Sequence, residues 1–174
     1  PLIGDGKLLS KDLYFHIALM LFSFSNGILK IVRIGTPMAL SEDLQTRPKI
    51  AEIIPTYNEE RNVAGVLKAL CSSEILDEII IVDDGSVDDT LEIVSQFANT
   101  DRRIKVIRHD RNKGKGQAII TGWGATSAPY LLLLDADLHE LTSNHILVLM
   151  TPVLEKRAGL QIGAITRAPS EEVG

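Results

Sequence analysis

The chain has 174 residues, 45% hydrophobic and 24% charged, a balance that fits a soluble globular chain with a buried core and excludes a disordered one. Its formal net charge of −5 argues against a nucleic-acid surface, which normally shows an excess of Lys and Arg. Cys71 is the single cysteine, so there is no internal disulfide; among apolar helix-like neighbours it reads as a buried thiol in a reducing compartment.

Pro1 stands where an initiator Met would, and the sequence turns polar after Arg167, so the chain reads as a piece of a longer one. Leu13 to Ile34 is mostly apolar but is interrupted by His16, Ser23, Ser25, Asn26, Lys30 and Arg33. A spanning helix needs about 20 predominantly apolar residues, and a secretory leader ends in small ones, so neither is expected. The expectation is a helix, either packed on the domain or lying in a membrane interface through residues 11–34, with Lys11, Lys30 and Arg33 near headgroups. Thr36 to Pro48 reads as a linker. Residues 1–47 thus form an apolar helical segment and linker, and 48–174 the main domain.

From Lys49 onward, short apolar runs alternate with segments of helical period. Ile50 to Pro55 is the first expected strand. Residues 59–71 follow as an amphipathic helix, with Val63, Val66, Leu67 and Leu70 on one face and Glu59 and Glu60 at its positive end. Ile79 to Val82 is the next strand, and Asp88 or Asp89 caps a helix carrying Leu91, Val94 and Phe97. Ile104 to Ile107 is a third strand, 115–125 a helix, and Tyr130 to Leu134 a fourth, continuously apolar strand, as expected when helices cover both faces. Thr142 or Ser143 caps a last helix, and Gln161 to Thr166 reads as a fifth strand. The alternation predicts an α/β fold with a mostly parallel sheet flanked by helices on both faces.

Four polar clusters follow the four strands: "PTYNEE" (55–60), "DDGS" (83–86), "HDRNKGKG" (109–116) and "DADLHE" (135–140). In open parallel sheets ligands bind at that carboxyl edge, so the clusters are expected to converge on one crevice. Asp135 and Asp137 would repel each other there without a cation, and oxygen-only ligation suits Mg²⁺ or Mn²⁺ completed by substrate phosphates. His139 can join them as an imidazole ligand or stand at the surface. The turn around Lys113 and Gly114, with Lys115 beyond it, can bring backbone N–H groups and ammonium charge to a phosphate. Tyr57 can stack on a nucleobase whose N–H edge Asp84 accepts. His16, His109 and His145 have no comparable company, and Trp123 and Tyr130 read as packing residues.

"IIPTYNEERN", "EIIIVDDGSVDDT", "RNKGKGQAIITG" and "YLLLLDADL", in this order and spacing, resemble family 2 glycosyltransferases of the GT-A fold, nearest to the dolichol-phosphate mannosyltransferase type. The resemblance covers about residues 50–167. It implies a Rossmann-like GT-A sheet in which Pro55, Tyr57, Glu59, Val82 and Asp84 surround the nucleotide. Asp135, Ala136 and Asp137 then form the DxD element holding metal and sugar diphosphate. In the polyprenyl-phosphate branch the residue at 139 is commonly Gln; here it is His139, followed by Glu140.

The function expected is a metal-dependent, inverting hexosyl transfer from UDP-glucose or GDP-mannose to an acceptor such as a polyprenyl phosphate, at the cytoplasmic side of a membrane or in the cytoplasm. Asp135 and Asp137 would be its catalytic carboxylates, and homodimerisation is compatible with the sequence. Two alternatives remain: a nucleotide-sugar-binding domain without turnover, and a phospho-receiver domain. The latter fits the acidic pair in "IIIVDDGS" and the aspartate in "LLLLDADL", but leaves "PTYNEE" and "RNKGKG" unexplained.

Overall fold

The computed structural model describes residues 28–33, 47–155 and 158–164. In chain order the elements are β1 (Ile28–Arg33), β2 (Ile50–Thr56), α1 (Val63–Cys71), β3 (Glu78–Asp83), α2 (Thr90–Thr100), β4 (Ile104–Arg108), α3 (Lys115–Gly124), β5 (Tyr130–Leu133), α4 (Ser143–Leu154) and β6 (Leu160–Ala164). They build one sheet of order β4-β3-β2-β5-β1-β6. Strands β2 to β5 are mutually parallel, whereas β1 runs antiparallel between β5 and β6.

The expected α/β architecture holds, because β2, β3 and β5 are buried on both faces and each face has its own helical cover. Ile50, Ile54, Ile79, Ile81 and Leu132 turn to the layer made with α1, α2 and α4. Ala51, Ile53, Ile80, Val82, Leu131 and Leu133 turn the other way, towards Ala118 and Ile119 of α3. Helix α3 lies close on that face: a Cβ at Gly122 would stand 2.5 Å from Ile53 Cγ2. Glu52 breaks the apolar run of β2, buried with neither carboxyl oxygen hydrogen-bonded.

Three expectations about elements change. Residues 28–33 are a strand, not the end of a helix, and they are bonded into the main sheet between β5 and β6. A short apolar run can serve either state, and here it covers the backbone edge that β5 would otherwise expose. The remainder of the apolar stretch lies outside the described residues, among which no helix is long and apolar enough to cross a membrane. Helix α1 begins at Val63 rather than at residue 59: Asn58 takes a left-handed φ of 55° and residues 60–62 form a turn, while the N–H groups of Glu59 and Glu60 donate to Thr90 Oγ1 (2.7 Å) and Asp88 Oδ2 (3.2 Å). Cys71 is half-buried rather than buried.

Arg103 ties the helical layer to the sheet. Its guanidinium donates to the carbonyls of Cys71 (2.7 Å), at the end of α1, and of Ser73 (2.6 Å) and Leu76 (3.2 Å) in the connection to β3. It also grips the Asp101 carboxylate at 2.7 Å. That contact, stronger than the opposing effect of burial, holds the Asp101 carboxyl down to about 2.

Candidate functional site

From β2 the chain crosses outward to β3 on one side, while β5 lies on the other, so a crevice opens beyond the carboxyl ends of these strands. A cleft of about 260 Å³ occupies that place, lined by Pro55, Thr56, Tyr57, Glu59, Asp84, Asn112, Lys115, Asp135, Ala136 and Asp137. All four polar clusters contribute to it or to its support.

The loops after β2 and β3 are laced together. Asn58, in the left-handed region at φ 55°, donates its N–H to Ser86 Oγ (3.0 Å) and accepts from Val87 N–H through its side-chain oxygen (3.0 Å). Asp88 accepts from both the N–H and the hydroxyl of Thr90 (3.1 and 2.6 Å). Most of the polar residues in "NEE" and "SVDDT" therefore hold the loops rather than face the cleft. Tyr57 is left 44% exposed at the cleft wall, an accessible ring.

Asp84 is nearly buried and is the hub of the opposite wall. Its Oδ1 lies 2.6 Å from His109 Nδ1 and accepts the Lys113 N–H at 2.9 Å, while Oδ2 accepts the Gly114 N–H at 2.7 Å. Burial alone would raise its carboxyl, but His109 and the two backbone N–H groups outweigh it and hold the group below the ordinary carboxylate range, ionised at neutral pH. Because an ionised carboxylate only accepts, His109 Nδ1 carries a hydrogen, and Nε2 faces the Thr121 hydroxyl at 2.9 Å. Gly85 allows the two loops to touch: it has φ +77°, and a Cβ there would fall 2.6 Å from the Arg111 carbonyl carbon.

Asp135 and Asp137 emerge after β5, with Ala136 buried between them. Lys115 Nζ reaches Asp135 Oδ1 at 2.5 Å, which places one ammonium on the first of the two carboxylates.

Of the residues expected to face a donor, Pro55, Tyr57, Glu59, Asp84, Asp135, Ala136 and Asp137 line the cleft together. Val82 does not: it is wholly buried under α3, because alternation along β3 turns it into the core. Lys113 and Gly114 are not lining residues either. Their N–H groups are taken by Asp84, and the Lys113 ammonium pairs with Asp110 at 3.2 Å, so the cation in the cleft is Lys115. His139 is exposed in the turn after the buried Leu138, and no group of three metal-ligating side chains exists among the described residues. Asp135, Asp137 and His139 therefore do not form the expected trio. His109, judged to have no company, is a site residue that the sequence reading missed. The signal was the parallel register, which pairs Asp83 with Arg108 and so sets the next two residues side by side.

Parallel strands flanked by helices on both faces, with a cleft at the carboxyl edge of β2, β3 and β5, make the architecture that of the GT-A fold. Residues 53–173 match the profile of "Glycosyl transferase family 2", and the chain belongs to that family. It is 39% identical over 98 residues to CsbB of Bacillus subtilis (strain 168), named as a glycosyltransferase, a match covering 53% of this chain and 30% of that protein. It is 35% identical over 106 residues to the undecaprenyl-phosphate 4-deoxy-4-formamido-L-arabinose transferase of Yersinia pestis (strain Pestoides F), covering 58% and 32%. The match thus spans about a third of the length of these curated relatives. Among solved structures, the glucosyl-3-phosphoglycerate synthase of Mycobacterium tuberculosis, in complex with Mn²⁺, UDP and glucosyl-3-phosphoglycerate, superposes with a TM-score of 0.53 at 25% identity, covering 62% of this chain and 40% of that one.

Proposed function

We propose that this chain carries the donor-binding part of a metal-dependent, inverting glycosyltransferase that moves a hexose from a nucleoside diphosphate sugar, UDP-glucose or GDP-mannose, to a polyprenyl phosphate. The observation that carries the reading is the meeting of Tyr57, Asp84, Lys115, Asp135 and Asp137 in one cleft. The Yersinia relative named for undecaprenyl phosphate supports the acceptor class, and the Mn²⁺ and UDP of the mycobacterial structure support the donor and metal.

Asp135 and Asp137 present hard oxygen donors on one wall of the cleft, the set that Mg²⁺ or Mn²⁺ accepts when diphosphate oxygens complete the shell. Bound there, the ion would supply Lewis-acid stabilisation of the diphosphate leaving group. The protein's own groups do the rest. Tyr57 offers its ring to the base, and Asp84 takes a base N–H. Lys115, one step from Asp135, meets the negative charge of the diphosphate as the donor enters. A phosphate acceptor is already anionic and attacks without a protein base, inverting the anomeric carbon.

Calorimetric titration of the full chain with UDP-glucose and GDP-mannose, with and without Mn²⁺ and repeated on Asp137→Ala, tests the donor site. Metal-dependent binding lost in the variant supports it; binding of neither donor under any metal condition refutes it. Assay of sugar transfer to polyprenyl phosphate in vesicles separates a transferase from a domain that binds without turnover.

A further inference from the structure

We propose that the base pocket selects a uridine nucleotide over a guanosine nucleotide, because the protein itself has filled most of the acceptor capacity of Asp84. This rests on the reading of Tyr57 and Asp84 as the base-facing walls. A carboxylate offers about four acceptor positions, two on each oxygen. On Oδ1 both are used, by His109 Nδ1 at 2.6 Å and the Lys113 N–H at 2.9 Å. On Oδ2 one is used, by the Gly114 N–H at 2.7 Å. One position remains.

The two bases differ in what they ask of it. Guanine presents two adjacent donors, N1–H and N2–H, which a free carboxylate takes with both oxygens. Uracil presents a single N3–H between two carbonyl oxygens. One open acceptor matches uracil and leaves a guanine donor without a partner in a nearly buried site. Asn112 adds the complementary half. Its Oδ1 shares the Gly114 N–H with Asp84, at 3.0 Å, leaving its amide N–H₂ as a donor at the cleft wall for a uracil carbonyl.

The arrangement is held from behind. His109 is 6% exposed, braced by the Thr121 hydroxyl at 2.9 Å, and its backbone N–H donates to Asp83 O at 2.8 Å. Asp84 therefore cannot turn a second oxygen to the cleft without breaking a buried contact. His109 acts as a positioning residue that sets specificity without touching the base.

Titrating UDP and GDP into the full chain with Mn²⁺ tests this directly. UDP is expected to bind at least about tenfold more tightly, the order of one unsatisfied donor. His109→Leu frees the carboxylate to turn and is expected to narrow the UDP to GDP ratio, whereas His109→Asn keeps an N–H donor and restores it, a rescue that loss of packing would not give. Equal or tighter GDP binding by the native protein overturns the inference while leaving the donor site standing. A preference for UDP that His109→Leu leaves unchanged overturns its assignment to this pair. Failure of both nucleotides to bind overturns the donor-site reading and the inference with it. If His109→Leu does not fold, the ratio in the native protein decides.

Discussion

Lys115 Nζ lies 2.5 Å from Asp135 Oδ1, so the first residue of α3 supplies the positive charge at the carboxylate turn. An ammonium and a divalent ion would compete for the same oxygen, whereas a diphosphate would give the ammonium a second partner. Lys115→Gln is therefore expected to bind Mn²⁺ alone more tightly and UDP-sugar about tenfold more weakly, the latter loss shrinking in high salt. Titrations with each ligand at two ionic strengths would check both signs; a variant weaker for both would refute the competition.

Gly85 combines a left-handed backbone with contact against the Arg111 backbone. Gly85→Ala is expected to cost about 2 kcal/mol or more and to displace the loop that carries Asn112 and leads into Lys115. Chemical denaturation would show the loss in stability, and weaker nucleotide binding under folded conditions would show the displacement.

Glu52 sits in the middle of β2 between Ile79 and Leu132 on its two neighbours. Burial raises its carboxyl well above the ordinary 4.5; the nearby Leu134 N–H lowers it in part, and Asp135 raises it again. That N–H is given to Ile53 O at 3.4 Å, so it offers the carboxyl no settled partner. The folded protein keeps a proton that the unfolded chain releases, and stability must fall as pH rises above the ordinary Glu value towards the folded one. Glu52→Leu is expected to gain about 2 kcal/mol near neutral pH and to flatten that decline. Denaturation curves at pH 5 and pH 8 test both statements.

Asp101 has the opposite sign. Its folded carboxyl is held near 2 against 3.8, so the Arg103 contact is fully present above about pH 4 and is lost as the solution is acidified towards pH 2. Arg103→Ala removes this acid limb and leaves the carbonyls of Cys71 and Ser73 uncovered, at an expected cost of about 3 kcal/mol. An acid titration of the folded fraction in both proteins would separate the two effects.

Cys71 is pushed up to about 11, first by partial burial and then by the Asp101 carboxylate. At pH 8 it should hold about a hundredfold less thiolate than an unperturbed thiol and alkylate correspondingly slowly. Timed reaction with iodoacetamide in native and denatured protein gives the comparison.

Much of this architecture was legible because its code is local. Continuous runs such as "EIIIV" and "YLLLL" belong on strands covered from both sides, and turn-forming polar clusters after them mark the ligand edge. What escaped depends on register or on competition between neighbours. Ile28 to Arg33 carries no period that separates helix from strand, and its choice follows from the edge it meets on β5. Lys113 and Lys115 are equivalent in a sequence; the start of α3 and the hold of Asp84 on the backbone decide which one faces the cleft. His109 acquires meaning only beside Asp84, across a pairing that no local pattern encodes. Glu52 was hidden inside an otherwise apolar run.

The close seating of Gly122 on Ile53 works as a spacer gauge. Lys115 lies two helical turns back from this contact, about 10 Å along the axis of α3. The height of the helix above the sheet, fixed by one missing methyl group, therefore sets how far the ammonium overhangs the carboxylates at the strand ends. A Cβ at 122 is expected to push the helix off Ile53 and retract the charge, so the reach of this cation is set on a buried face away from the cleft.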